Sequence, residues 1–468
     1  MQSNGTDARR IGGLGAAELW ITPGPARPED RLVSLDVLRG FALLGILVLN
    51  VETFAGPSSL HDIPMGTGHV AFVGWHAPLD YLILSIKWMF FEGKMRTLFA
   101  MLFGAGAVLL TQRLEQGAQP ERAADIFCRR NLWLLLFGLI HGTLIWMGDI
   151  LFNYALLALL FLFPLRRVAT RKLILLGLIV GIVGGGIGLV RRIDVPTILR
   201  QETLVGEARA AIAAHRTPTP AQRQALAAQA KEDAGAAKSI AEEVQAGRSP
   251  FLESIAPRAD MFLKVQFALF TSGMVLEVVG SMMLGMGLYK SGFFTCALPR
   301  RRYVEIAALG YAVTIPIVVT GLVQAAAGGF SQAAAVRWLF LPYTFEIIPG
   351  AVANAAVLLL VIRQGWLRPV TGALANVGRT ALSNYVLTSI LCQFLFAWGP
   401  WKLFGVLEYY QQLYAVAGVW AINLIASALW LRAFRYGPLE WVWRSLVYWK
   451  RQPMLRRRLA TEPGWSLA

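Results

Sequence analysis

Apolar runs of about 20 residues recur along nearly all of the 468-residue chain, with Lys and Arg gathered in short clusters between them. That alternation is the pattern of a polytopic helical membrane protein. The runs cover residues 35–54, 95–110, 131–147, 150–165, 173–190, 262–289, 304–325, 338–362, 374–397 and 413–431. The expected fold is all-α, a polytopic transmembrane helical bundle of about ten spans. One block, 79–110, is long enough for one crossing or two, and charge decides between them. Arg113, Arg122, Arg129 and Arg130 follow that block; Arg166, Arg167, Arg171 and Lys172 follow the 131–165 hairpin. Further clusters are Lys290 with Arg300–Arg302, Arg363 with Arg368, and the basic residues from Arg432 onward. All of them share one side with the N-terminus only if the block crosses once. Residues 79–91 are then expected as an amphipathic helix on the outer surface, with both termini cytoplasmic.

The polar stretches divide the chain further. Residues 1–30 form a polar tail without a basic segment leading into a short apolar stretch, so the first span is expected to be retained. Five spans fill 31–190 and five more fill 261–435. Between them, 191–260 is rich in Ala, Gln, Glu and Arg and broken at Thr217-Pro218-Thr219-Pro220. It is expected as a helical insertion on the outer side, with helices over 198–215 and 221–247, acting as a lid or as a spacer. Residues 436–459 mix Trp and Tyr with Arg and Lys and read as an interfacial helix on the anionic leaflet, ahead of a short cytoplasmic tail to 468.

Composition agrees with this picture. Hydrophobic residues make up 56%, charged residues 15%, and mean hydropathy is +0.52. The formal charge of +16 is spread over the loops and fits topology, because no basic groove with interleaved aromatics indicates nucleic acid. The lipid bilayer is the expected partner, and no nucleic acid is. Cys128, Cys296 and Cys392 have no ligand spacing, and a structural disulfide is not expected. No metal site, glycine-rich phosphate loop or nucleophile elbow is recognisable.

Polar residues inside the apolar runs are many: Asn50, Glu52, His141, Asn153, Glu277, Glu346, Asn354, Asn376, Asn384, Gln393 and Asn423. Each costs several kcal/mol in hydrocarbon unless paired or wet, so several are expected to face a common interior. The densest stretch is 131–163, read as two spans around a Met147-Gly148-Asp149 corner on the outer side. It carries His141, Asp149, Asn153 and Tyr154. His141 is either a hydrogen-bonded core histidine or a general base oriented by a carboxylate such as Asp149. Eight residues of helix separate the two by about 12 Å, so a third group or a water is expected between them. His141 is expected about 10 Å below the corner. Arg39 pairs with Asp36 at i,i+3, as an anchor or as a seat for an anion. Glu92, Lys94 and Arg96 are expected at the outer surface, paired among themselves or holding a polar substrate. Glu277 and Glu346 are buried hydrogen-bonding groups or proton carriers.

Six ordered blocks carry a resemblance. They are SLDVLRGFALLGILVLNV at 34–51, FFEGKMRTLFAMLFGAG at 90–106, LFGLIHGTLIWMGDILFNYALLALL at 136–160, SMMLGMGLYKSGFF at 281–294, GRTALSNYVLTSIL at 378–391 and FRYGPLEWVWRSLVYWKRQPM at 434–454. Together they resemble the bacterial YeiB-like membrane proteins, whose shared region is called domain of unknown function 418. The hydrophilic 191–260 segment departs from that pattern. The LDVLRG opening is similar to that of transmembrane acyltransferases, including the heparan-alpha-glucosaminide N-acetyltransferase type. That likeness implies acyl-coenzyme A as a cytoplasmic donor, an envelope glycan or small molecule as acceptor, and a histidine central to the chemistry. In those enzymes the histidine precedes the second span in an H-A-x-W-like context, and Trp75-His76-Ala77 occupies a comparable place here, so His76 rivals His141. The implied roles are general base for His141 or His76, orienting or substrate-binding acid for Asp149, and cavity-lining donors for Asn384 and Tyr385. Arg39 and the basic clusters would take the donor's phosphates. Asn50, Glu92, Lys94, Asn153 and Tyr154 complete the candidate substrate groups. The competing reading is a transporter or exporter that uses Glu277, Glu346 and His141 within the same cavity.

Overall fold

The computed structural model describes residues 32–57, 72, 74–117 and 120–456. His61, His69 and the N-terminal tail lie outside these residues, as do Arg457 and Arg458 of the last basic cluster. The described chain is helical, with one isolated antiparallel bridge, Phe434 to Leu455, in place of any strand.

We number the main helices α1 (Val33–Ala55), α2 (Ala77–Phe90), α3 (Lys94–Glu115), α4 (Ala123–Ile140), α5 (Leu151–Leu165), α6 (Thr170–Arg192), α7 (Val195–Ala213) and α8 (Pro220–Gly247). They continue as α9 (Phe251–Ser272), α10 (Val275–Lys290), α11 (Arg300–Ala327), α12 (Tyr343–Gln364), α13 (Arg368–Arg379), α14 (Ala381–Trp398), α15 (Gln412–Ala433) and α16 (Pro438–Tyr448). Seven helices or helix runs are long and apolar enough to cross a membrane, and the bent pair α9–α10 raises that to eight. The outward residues of α6, Leu175, Ile179, Val183, Ile187 and Val190, are exposed and fall on one stripe. Only lipid makes such a stripe favourable, and the protein is a multi-pass membrane protein.

The ten expected runs differ from these helices in three informative places. The run at 262–289 is two helices bent by 75°, because Gly273 adopts a left-handed conformation (φ 86°) that ends α9. The run at 374–397 breaks at Thr380 into α13 and α14. α5, with 15 residues counted from Leu151–Leu165, and α4, whose first turns carry Asp125, Arg129 and Arg130, fall short of the crossing criterion. α2 runs on into α3 as one apolar stretch of 39 residues with a break at Gly93, burying Leu84 and Trp88 against α11 while Leu79, Leu82, Ile86 and Phe90 stay exposed on the other face.

Small residues bring the central helices together. A Cβ on Gly104 would lie 2.0 Å from the Met282 carbonyl oxygen, and one on Gly285 would lie 1.9 Å from that of Met101. α3 and α10 therefore pack backbone to backbone, the usual solution where lipid supplies no hydrophobic drive. The hydrophilic insertion forms α7 and α8. Asp194 accepts the Thr197 N–H, and Thr219 with Gln222 makes a reciprocal capping box. The basic aromatic segment is shorter than expected: α16 ends at Tyr448, where Trp449 turns left-handed (φ 51°) and Pro453 follows.

Candidate functional site

α4 does not simply run to the corner. At His141 it widens into a π turn (His141–Ile145), and Trp146 is extended (φ −154°, ψ 124°). The chain then reverses within two residues and starts α5. The two arms touch at Gly138, where a Cβ would stand 2.2 Å from the Phe152 nitrogen and 2.8 Å from Asp149 Oδ2. That near-contact brings Asp149 back alongside His141.

The expected spacer between them is absent. His141 Nδ1 lies 3.0 Å from Asp149 Oδ1, and both side chains are buried. The 12 Å separation assumed a continuous helix, and the π turn with the tight reversal removes that premise. For the same reason His141 is not displaced 10 Å from the carboxylate. Asp149 also accepts the Phe152 N–H at 2.7 Å and the Tyr385 hydroxyl at 3.1 Å, so three donors converge on one carboxylate. Tyr385 in turn accepts the Ile150 N–H at 3.2 Å. Asp149 is thereby held in one orientation by α5 and α14 together.

The other imidazole nitrogen, Nε2, lies 2.9 Å from Ser389 Oγ. With Nδ1–H donating to the carboxylate, Nε2 is left to accept the serine proton. The Tyr385 carbonyl is the competing acceptor at 3.3 Å, and the shorter contact favours the imidazole. The result is a Ser–His–Asp arrangement with nucleophile, base and orienting acid in hydrogen-bonded order. Sequence reasoning did not select Ser389. A hydroxyl in an apolar helix ordinarily bonds its own i−4 carbonyl. The available signal was that Ser389 lies four residues after Tyr385, on the same helix face.

A small cavity adjoins the serine. Leu43, Ile46, Leu47, Asn50 and Phe54 of α1 line it, with Trp146 at the corner and Tyr385, Thr388 and Ser389 of α14 opposite. Its free space is that of about one water molecule. Phe54 stacks on Trp146 with centroids 4.4 Å apart. The loop after α14 covers this end of α1, with the Gly405 N–H donating to the Ala55 carbonyl at 2.6 Å. Arg248, after α8, donates to the Phe404 carbonyl at 2.9 Å. The insertion is thus tied to the segment that roofs the cavity.

The other candidates separate into distinct groups. Asn50 and Tyr385 reach the cavity. Asn384 does not: it donates to Ser427 Oγ at 2.7 Å and Thr380 Oγ1 at 2.9 Å, stitching α14 to α15. Tyr154 donates to the Arg96 carbonyl at 3.1 Å, and Asn153 is buried on the same helix. His76 pairs with Asp80 at 2.6 Å and tilts against Tyr410, sharing no partner with His141. Glu92, Lys94 and Arg96 are not an outer-surface set. Gly93 breaks the helix with φ 66°, and the three side chains reach two other helices, Glu92 and Lys94 going to α12 and Arg96 to α10. Glu92 accepts the Tyr343 hydroxyl at 2.9 Å, Lys94 pairs with Glu346, and Arg96 pairs with Glu277 at 2.9 Å. Lys94 is wholly buried, and nearby Lys87 pairs with Glu52.

At the other end of α4, Arg39 pairs with Asp36 at 3.2 Å as expected. Arg130, immediately before the apolar run, sits 4.6 Å over the Trp443 ring. Burial pushes its guanidinium down to about 10, and the positive charges of Arg444 and Arg39 press the same way against the opposing influence of Tyr448. Three arginines from α1, α4 and α16 therefore share one electrostatic neighbourhood. Eleven helical residues, about 16 Å, separate Arg130 from His141.

Comparison with known proteins supplies the context. Residues 288–450 match the family described as "Protein of unknown function (DUF418)". The chain is 30% identical over 429 residues to "Uncharacterized protein YeiB" of Escherichia coli (strain K12), covering 89% of this chain and 96% of that protein. It is 27% identical over 438 residues to "Uncharacterized protein YxaH" of Bacillus subtilis (strain 168), covering 92% and 98%. No solved structure matches. With an all-helical multi-pass fold and an alignment that runs through nearly the full length of these relatives, the chain belongs to the YeiB-like DUF418 family of membrane proteins.

Proposed function

We propose that the protein is a membrane acyltransferase, with His141 as general base, moving an acyl group to a hydroxyl or amine acceptor. The observation that carries this reading is His141 held between the Asp149 carboxylate and a serine hydroxyl at the edge of a cavity. Such a base removes a proton from a hydroxyl as it attacks a carbonyl carbon, a contribution of typically 10²–10⁴-fold. Asp149 keeps the imidazole in the tautomer that leaves Nε2 free to accept.

An acyl-coenzyme A donor fits the arginines at the far end of α4. Arg39, Arg130 and Arg444 would take its phosphates, and the acyl arm would extend about 16 Å along α4 toward His141. The acceptor is an envelope glycan or a small molecule. In the topology that goes with this reading, α4 and α5 both cross, the count reaches ten, and both termini are cytoplasmic at the inner membrane. The exporter alternative draws on Glu277 and Glu346 as carriers, yet these are occupied by Arg96 and Lys94 in a cluster apart from His141.

The test uses the purified protein in detergent. Coenzyme A is expected to raise the unfolding temperature, and short-chain acyl-CoA to be turned over by the wild type and not by His141→Ala. Absence of both binding and turnover with every short-chain donor removes the proposal. A reporter inserted within 191–260 that reads cytoplasmic overturns the ten-span topology.

A further inference from the structure

We propose that Ser389 is a covalent acyl carrier, so that transfer proceeds through an acyl-serine, and that the oxyanion of the tetrahedral intermediates on either side of it is held by the indole N–H of Trp146. This rests on the acyl-transfer reading of the same site. Ser389 is buried, its Oγ is 2.9 Å from His141 Nε2, and it lines the cavity into which an acyl group would be delivered. A serine whose only task was to satisfy the helix would need no histidine. Conversely, a histidine acting directly on an acceptor would need Nε2 open to the cavity, and here the serine stands in front of it.

Trp146 supplies the second, independent observation. Its indole forms part of the cavity wall, it is 5% exposed, and its Nε1 has no hydrogen-bond partner among the described residues. A buried N–H left unsatisfied costs about 1–3 kcal/mol, and here it belongs to a ring that lines the same cavity as the candidate nucleophile. Such a donor gains its partner only when negative charge develops on a carbonyl oxygen in the cavity, which is how a preorganised oxyanion donor works. The Phe54 stack fixes the ring, so the donor needs no reorganisation during reaction.

The two steps balance without a further reactant. In the first, His141 Nε2 takes the Ser389 proton while Oγ bonds to the carbonyl carbon of an acyl thioester. The carbon–sulfur bond then breaks, and the thiolate leaves with that proton as a thiol. In the second, His141 takes a proton from the acceptor hydroxyl or amine, which attacks the acyl-serine carbonyl. The serine ester bond breaks, and Ser389 recovers the proton.

A fluorophosphonate probe, which captures activated serines, is applied to the purified full-length protein and the labelled peptide identified. Label is expected on Ser389, lost in S389A, and reduced at least tenfold in H141A. In the acyl-CoA assay S389A should lose roughly 10³-fold or more in turnover. W146F, which deletes the N–H with the fused ring and leaves a phenyl in the wall, should lose about 10²-fold in kcat with KM unchanged. Full turnover in S389A overturns the covalent step and leaves the acyltransferase reading standing, with His141 acting directly on the acceptor. Label on Ser389 without any acyl-CoA turnover retains the nucleophile and rejects the donor. No label on Ser389, together with S389C showing the same iodoacetamide rate as S389C/H141A, rejects the nucleophile outright. An unchanged kcat in W146F rejects the oxyanion donor.

Discussion

Two buried polar regions sit side by side in this bundle, and they differ in how they are closed. Around the Gly93 break, Glu52, Glu277 and Glu346 are each matched by a cation from another helix, Lys87, Arg96 and Lys94 in turn. Charge there is cancelled by charge, and each pair links two helices. Around His141 the groups form a chain instead, from Asp149 through imidazole to a serine hydroxyl, and the chain ends at a cavity beside an unpartnered indole N–H. A closed ion pair resists change, because moving either partner strands the other. An open-ended chain has a proton to pass and a place to pass it. Buried polarity alone therefore does not mark chemistry in a membrane protein; a hydrogen-bonded chain that ends at a cavity does.

That contrast can be tested from its strongest consequence downward. Asp149→Asn should lower acyl turnover by roughly 10⁴-fold, since the amide no longer selects the tautomer that leaves Nε2 free, and a turnover assay reads this directly. If activity is intact, the His141 region is as structural as the other one. Lys94→Met should cost about 3–5 kcal/mol by leaving Glu346 buried and unpaired, seen as a lower thermal midpoint in detergent. Adding Glu346→Leu should restore most of it. A Lys94→Met protein that keeps its midpoint but loses turnover would merge the two regions.

Smaller effects probe the supports of the site. Gly138→Ala should cost about 1–3 kcal/mol by forcing α4 and α5 apart, with turnover falling in parallel because Asp149 is displaced. Glu440 of α16 accepts the Leu382 and Ser383 N–H groups at 2.6 and 3.1 Å, capping the helix that carries Ser389. Glu440→Ala should cost about 1 kcal/mol and lower turnover only modestly, since the cap lies two turns from the serine. A loss as large as that of Asp149→Asn would mean the cap positions the nucleophile.

Much of the architecture was legible in the chain. The hydrophobic runs marked the helices, the basic clusters argued for a single crossing of 79–110, and the Thr-Pro-Thr-Pro stretch marked the turn of the insertion. Of the site, His141 and Asn50 could be picked as polar groups misplaced in hydrocarbon, Asp149 as the acid at the corner, and Tyr385 only through the acyltransferase resemblance. The pairings could not. Glu92, Lys94 and Arg96 are neighbours in sequence, yet Glu92 and Lys94 pair with α12 and Arg96 with α10, around a glycine of positive φ. Asn384 and Tyr385 are adjacent, yet one binds α15 and the other Asp149, since successive residues on a helix point about 100° apart.

What the sequence determined alone is the class: a multi-pass helical membrane protein of the YeiB-like family, because hydrophobic length and charge placement respond to the bilayer without reference to any other part of the chain. What only the tertiary structure decided is which buried polar groups meet. His141 and Ser389 are 248 positions apart. Their contact depends on a π turn, a two-residue reversal and the approach of α4 to α14, and a single helix's periodicity encodes none of these.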